Sequence, residues 1–359
     1  MQTRETHKGY FMPQIQISAK ELFAALPDAV QIKAGLSPVH AHPLADRVAE
    51  MSFTEMAHFA GELEAMAKGR RPGNDASVVA LGLSRVDFRT AMGDGFRQLA
   101  AQRFDAFADH LALCAPLIVP NFVPVELPNI SADAALKEVG ELSSYVASSV
   151  VSETGNVKAQ LRTYGRVMSI SRQAIVNDDI GLLDNIFASF GSSAARIENR
   201  DIFNGLEANP NLQDGAPVFH VDLGNIVAEA LSAESLAAAV GKLRTQPLRR
   251  DEPANNKARF VVVAPELEML AHRLNQETGN RLEILSSPNI NAGRWYVFAD
   301  PAVSPVVRRL MLKGSDGRPV AVEPHKKADT NFDGTHFKIR ADIGITFSSR
   351  IGVIKGGAE

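Results

Sequence analysis

The chain has 359 residues, 45% of them hydrophobic and 22% charged, a balance that fits packed domains and excludes a small stapled fold, a collagen-like repeat and wholesale disorder. Its 38 basic and 41 acidic residues leave a net charge of −3, which supplies no bulk attraction for nucleic acid or anionic lipid. One cysteine, Cys114, can form neither an internal disulfide nor a thiolate metal cluster, and burial as a small apolar side chain is its expected use.

No run of about eighteen apolar residues occurs, so no membrane span is expected. The N-terminal run MQTRETHKGYFMPQIQ lacks the continuous apolar core of a secretion signal, and a chain made in the cytoplasm is the expectation. Ser18-Ala-Lys-Glu21 and Ser52-Phe-Thr-Glu55 both have capping-box spacing and predict two short helices. In the second, Met56, Phe59, Leu63 and Met66 form an apolar seam one helix face wide. The charged, Gly/Pro-containing run Lys68–Asp75 reads as an exposed linker and sets the first boundary, near residue 80. Downstream, Phe96, Leu99, Phe104, Phe107 and Leu111 keep helical spacing, predicting a helix that persists until Pro116.

From Val139 to about Gln173 the texture turns to Ser, Val, Tyr, Thr and Gly, with Glu153-Thr-Gly-Asn156 as a turn signal, and the segment predicts a long β-hairpin centred near Gly155. Neither arm carries an apolar face broad enough for a core of its own, so the hairpin needs something to lie on. Asn177-Asp178-Asp179 then opens a helix whose seam is Leu183, Phe187, Phe190, Ala194 and Ile197, running to about Leu206. Residues 226–310 read as a mixed α/β unit, with a helix after Ser232, strands at Phe260–Val263 and Trp295–Phe298, and a helix from Pro265. In the last segment Phe337, Ile339, Ala341, Ile343, Ile345 and Phe347 alternate with polar or small residues, predicting one long strand with a single buried face. The fold class is α+β with extended parts.

The chemistry-bearing residue types are sparse and poorly grouped. His40-Ala-His42 has no third metal ligand spaced with it and reads as a Pro-flanked loop. His220 and Asp222 could pair as a base and its orienter, the basis of a hydrolase alternative, but no G-x-S-x-G elbow accompanies them. Asp329-Thr-Asn331-Phe-Asp333-Gly334 begins like a calcium loop, yet its twelfth position is Arg340 and a strand follows, so a hairpin turn is the better reading. No dinucleotide fingerprint, P-loop or zinc-protease motif occurs, and no cofactor or metal is expected. Lys158, Arg162 and Arg166 share parity, with Tyr164 between two of them, and offer either a solvated face or a docking surface for an acidic neighbour.

The run from Tyr164 through Val167, Ser169, Arg172 and Ile175 to Asp179, then Asp214-Gly-Ala-Pro-Val-Phe-His220 and Gly224-Asn225, resembles the tailed-phage major capsid proteins of the Hong Kong 97 type, closest to the Mu-like branch fused to a prohead protease. Leu83–Phe88, Gly140-Glu141, Trp295–Pro301 and Arg350–Gly356 extend the resemblance in the same order over residues 82–359. Leu223 stands where relatives often carry a second His, which counts against a catalytic His220.

The resemblance implies an icosahedral shell subunit enclosing double-stranded DNA, built of hexamers and pentamers, or an encapsulin-like compartment of the same fold. It divides the chain into a scaffold-like region 1–80, an N-terminal arm 81–138, an extended loop 139–171, a peripheral domain 172–225 with 311–359, and an axial domain 226–310. Scaffold or prohead protease, portal and decoration proteins are the implied partners, and a virion assembled in the bacterial cytoplasm is the implied location. Tyr145, Lys158, Arg162, Tyr164 and Arg166 become candidate intersubunit contacts, with Lys158 also the position to test for the Lys–Asn cross-link some relatives form.

Overall fold

The computed structural model describes residues 18–69, 75–126, 129–132, 150–153, 158–171, 173–174, 180–249, 252–315, 317–325 and 334–357. No described helix is long and apolar enough to cross a membrane. Helices α1 (Ala19–Lys33) and α3 (Phe53–Ala67) begin at the two capping boxes, where the Ser hydroxyl accepts from the N3 amide and the Glu carboxylate takes the Ser amide. A short α2 (Ala45–Ala49) lies between them.

The seam of α3 differs from expectation: Met56 is buried, but Phe59 and Leu63 are half-buried and Met66 is 64% exposed. The buried face is instead the small one, with Ala57, Ala60 and Gly61, because α4 (Asp75–Ser84) packs against it at backbone distance. A Cβ at Gly61 would lie 2.0 Å from the Val78 carbonyl oxygen, and one at Gly82 1.8 Å from that of Ala57. The expected linker run 68–75 falls between these two closely packed helices in the chain, and its residues 70–74 lie outside the described residues.

Helix α5 (Val86–Asp105) ends eleven residues before Pro116, and a 3-10 turn (Asp109–Leu113) leads into strand β1 (Cys114–Val119). Phe107, assigned to the helical seam, sits past the helix end and is 46% exposed. Strands β2 (Val125–Glu126), β3 (Asn129–Ala132), β4 (Val150–Glu153), β5 (Lys158–Ala159) and β6 (Arg162–Ser171) follow, then the long helix α6 (Ile180–Ala208). The Asn177–Asp179 opening of that helix and the Asp329–Asp333 loop lie outside the described residues. Next come β7 (Ile226–Val227), α7 (Ala233–Thr245), β8 (Pro247–Arg249), β9 (Glu252–Pro253) and β10 (Ala258–Val263). The chain closes with α8 (Glu268–Glu277), β11 (Glu283–Ser286), β12 (Trp295–Ala299), β13 (Val307–Leu312), β14 (Val320–His325), β15 (Gly334–Ile343), β16 (Ile345–Phe347) and β17 (Val353–Gly356).

Two compact units share these elements. The first takes residues 1–99, 166–188 and 322–339; the second takes 100–165, 189–321 and 340–359. An aromatic trio marks the first unit's core: the Phe96 ring stacks on Phe187 at 4.0 Å, and Phe337 meets both edge-on at 5.5 and 5.9 Å.

The second unit is organised by a five-stranded mixed sheet of order β11-β10-β12-β17-β7. Alternate residues feed two cores. Phe260, Val262, Tyr296 and Phe298 pack with Ile202, Phe203 and Leu206 of α6, whereas Val261, Val263, Trp295 and Val297 pack with Leu236, Ala239 and Leu243 of α7 and Leu274 of α8. Burial on both faces is why these strands read as unbroken apolar runs. The sheet also captures β17, which was expected among the peripheral strands. It fits there because Gly356 leaves room for the Trp295 indole: a Cβ would lie 2.0 Å from Trp295 Cε2.

The long strand expected at 336–347 is split at Gly344. Its carbonyl accepts from Leu310 N at 2.8 Å, and a Cβ there would lie 2.9 Å from the Gln160 carbonyl oxygen. Before the break β15 joins the sheet β14-β15-β6; after it β16 joins β1-β13-β16. Thr335, His336 and Thr346 are also buried and Ile345 is half-buried, so the expected one-sided burial holds only from Phe337 to Ile343.

Candidate intersubunit surface

The hairpin is built differently from the sequence expectation. The expected turn around Gly155 lies outside the described residues, but the described strands pair with an upstream segment and not with each other: Asn129–Ala132 pairs antiparallel with Val150–Glu153, and Val125–Glu126 with Lys158–Ala159. One ribbon therefore takes β2 and β3 from its first arm and β4 and β5 from its second. The upstream arm was missed because it is short and interrupted by Pro128, whereas local alternation favoured a turn inside 153–156.

At its root the ribbon is tied down by a small apolar cluster of Val119, Ala159, Leu161 and Leu310. Gln160 Nε2 donates to the Phe122 carbonyl at 3.1 Å, and Thr163 Oγ1 to Asp342 Oδ1 at 2.6 Å. Farther out, β3 and β4 form a two-stranded sheet that no third described strand joins. Such a ribbon is marginal by itself in water.

Strand β6 is the second open element. It is the last strand of β14-β15-β6, with one edge unpaired among the described residues. Most of its side chains are exposed, including Val167 at 50%; Ile170 alone is fully buried. An exposed edge of ten residues is a ready template for a further chain.

Of the candidate contacts, Tyr145 lies outside the described residues. Arg162 and Arg166 are exposed on β6 with half-buried Tyr164 between them, on the strand face expected from their parity. Lys158 pairs across the ribbon with Glu126, Nζ to Oε1 at 3.8 Å, and its side chain is 63% exposed. The desolvation that a Lys–Asn cross-link requires is thus not supplied by this chain alone. Exposed Ile118, Phe122 and Val123 near the ribbon root add apolar contact area that the sequence reading did not single out.

His220 and Asp222 do come together, but as a cap. His220 Nδ1 accepts from the Asp222 amide at 3.2 Å at the start of the 3-10 turn Val221–Leu223, and both side chains are exposed, at 51% and 86%. The turn is held from below by buried Asn225, which donates to the Val218 carbonyl at 2.7 Å and accepts from His220 N at 3.0 Å. His42 serves likewise, its Nδ1 accepting from Leu44 N at 3.2 Å. Asp214 and Arg350, each from a motif of the resemblance, meet in a bidentate pair at 2.5 and 2.6 Å, and the guanidinium holds the Asp214 carboxyl below its usual range.

Sequence reasoning missed a buried polar cluster in the second unit. Glu198 of α6 accepts from Arg309 Nε of β13 and lies 3.2 Å from His110 Nε2, with all three side chains nine-tenths buried or more. Arg309 also donates to the Gly317 carbonyl at 2.8 Å and lies over the Phe104 ring. Burial, with the Glu198 charge nearby, pushes the Cys114 thiol up to about 12. The readable signal was position: Glu198 falls in the helical stripe between Ala194 and Ile202 that the apolar core occupies.

The family model described as phage capsid protein matches residues 154–356. No curated protein matches the chain. Among solved structures, similarity extends to a virus-like particle from Pyrococcus furiosus, at 12% identity over 74% of this chain and 98% of that one, with a TM-score of 0.46. A structure from Microbacterium phage Oxtober96 is similar at 9% identity over 70% and 91%, TM-score 0.46. The holo-SrpI encapsulin complex from Synechococcus elongatus is similar at 11% identity over 67% and 83%, TM-score 0.42.

Proposed function

The chain belongs to the phage capsid protein family, and from that premise we propose that this structural capsid protein is the major subunit of an icosahedral tailed-phage or prophage head of the Hong Kong 97 type, enclosing double-stranded DNA. The observation that carries the reading is the ribbon β3–β4, a two-stranded sheet whose outer edges meet no other strand among the described residues. An element that is marginal alone gains its partner surface in a shell, where each subunit presents different surfaces to its neighbours.

Obligate contacts of this kind often bury about 2,000–5,000 Å². Many modest contacts engaged together make the closed object durable. The ribbon, the exposed edge of β6 with Arg162, Tyr164 and Arg166, and Lys158 at the ribbon margin are the proposed intersubunit contacts; Tyr145 joins them from the sequence. A net charge of −3 suits a container wall, because strong phosphate binding would hold packaged DNA to the shell. Assembly in the bacterial cytoplasm with scaffold or protease, portal and decoration proteins completes the role.

Negative-stain microscopy of the purified full-length protein tests it. Uniform closed particles that protect DNA from nuclease support the head; closed particles carrying protein cargo and no DNA would assign a compartment shell instead. A small monodisperse species under all salt and temperature conditions would overturn both.

A further inference from the structure

The resemblance casts residues 1–80 as a scaffold-like region, a segment that helps assembly and is then dispensable. Whether a segment can be shed depends on what its loss uncovers, not on its place in the chain. Helices α1–α4 share the first unit with residues 86–99 of α5, and three sets of contacts there bear on the question.

The first joins α1 to α5. Leu22, Ala25, Leu26, Ala29 and Val30 of α1 are fully buried. A Cβ on Gly95 of α5 would stand 2.8 Å from Val30 Cβ, so the α1 side chain fills the space that the glycine leaves. One residue on, the buried Gln31 donates from Nε2 to Gln98 Oε1 of α5.

The second joins α3, α4 and α1. The Gly61–Val78 and Gly82–Ala57 approaches hold α3 and α4 backbone to backbone. Arg85, between α4 and α5, reaches Glu64 of α3 at 3.3 Å and lies over the Phe23 ring of α1 at 4.8 Å. One side chain thus bridges α1 and α3 to the start of α5.

The third is the other side of α5. A Cβ on Gly93 would stand 3.5 Å from the Val322 carbonyl oxygen and 3.7 Å from the Phe337 ring, and Phe96 belongs to the aromatic trio with Phe187 and Phe337. Helix α5 is common to the N-terminal helices and to that core. A removable piece has a boundary that few contacts cross, and here the boundary runs through a shared core.

We propose that α1–α4 are a permanent part of the finished subunit, clipped to α5 by Val30, Gln31 and the Arg85 bridge, and that they stay attached when the chain is cut between α3 and α4. The word finished rests on the capsid reading; attachment is measured on the unassembled chain, so either can fail without the other.

The test replaces residues 70–74 of the full-length protein with the recognition sequence of a site-specific protease, cuts there, and follows both fragments by size exclusion. They should co-elute in native buffer and separate only in denaturant. Arg85→Ala removes the Glu64 pair and the Phe23 contact while leaving Val30 and Gln31 in place, and should make the cut fragments dissociate about tenfold faster. An N-terminal fragment that elutes by itself, whether the remainder stays folded or aggregates, overturns the proposal, as does an unchanged dissociation rate in Arg85→Ala. Should the replacement itself prevent folding, hydrogen exchange on the parent chain decides: amides of α1 and α3 should exchange as slowly as those of α5, and opening of α1 and α3 while α5 stays protected overturns the proposal. Purified particles whose subunit begins after residue 84 would overturn it as well.

Discussion

Arg309 and Glu198, 111 residues apart in the chain, face each other inside the second unit, the guanidinium Nε donating to both carboxylate oxygens at 3.0 and 3.2 Å. The contact ties helix α6 to strand β13, and His110 shares the same carboxylate from the 3-10 turn. Truncating one partner of such a buried pair leaves an uncompensated charge, which costs about 3–5 kcal/mol. Glu198→Ala and Arg309→Ala should each lower the denaturation midpoint of the unassembled chain sharply. The double replacement Glu198→Leu with Arg309→Met should cost less than either single change. A double variant as unstable as the sum of the two would show that the pair does not act as a unit.

Cys114 tests the dryness of the same region. With its thiol pushed up to about 12 from an ordinary 9.0, the thiolate fraction at pH 8 falls by about a thousandfold, and reactivity follows the thiolate. Labelling by a disulfide reagent should be complete only after denaturation. Fast native-state labelling would place the sulfur in water.

Helix starts were legible because a capping box is local: Ser18 with Glu21 and Ser52 with Glu55 satisfy each other within three residues. The five-stranded sheet was half legible. The apolar runs at Phe260 and Trp295 announced buried strands, but the return of Val353–Gly356 into that sheet depends on the missing side chain of Gly356, which no periodicity reports. The ribbon was misregistered for the same reason: pairing of β2 with β5 and of β3 with β4 is a long-range choice, and the local turn signal at 153–156 pointed elsewhere. Among the proposed contacts, the parity of Arg162, Tyr164 and Arg166 was readable from the sequence, whereas the open edge of β6 needed the sheet order.

Asp214 and Arg350 set an acid dependence. Because the folded-state pKa of Asp214 lies below its ordinary 3.8, the pair stabilises the fold above that value, and the contribution is lost as pH falls through the lower folded-state pKa. Melting temperatures measured from pH 5 down to pH 2.5 should fall less steeply in Arg350→Met than in the parent. Parallel curves would remove this pair from the acid response.

Gly191 marks a backbone-distance crossing of α6 and α5, since a Cβ there would lie 1.9 Å from the Ala100 carbonyl oxygen. No rotamer relieves a clash with backbone, so Gly191→Ala must push the helices apart, an overpacking cost of about 1–3 kcal/mol or more. The expected outcome is a lower melting temperature, although alanine favours helix over glycine by up to about 1 kcal/mol. A rise in melting temperature would mean that the two helices separate freely.

Assembly and folding separate at the ribbon and the β6 edge. Ala132 faces Val150 across β3 and β4, so replacing residues 133–149 with Asn-Gly closes the ribbon through a two-residue turn of the kind that matches strand twist. The cluster of Val119, Ala159, Leu161 and Leu310 lies outside the excision, and the shortened chain should melt as the parent does. It should form no closed particles by microscopy or sedimentation. Val167→Lys places a charge on the exposed edge strand without touching a buried residue and should give the same separation. Particles formed normally by both variants would leave the ribbon and the edge without a role between subunits, whereas a shortened chain that fails to fold would show that the ribbon belongs to the core of its own subunit.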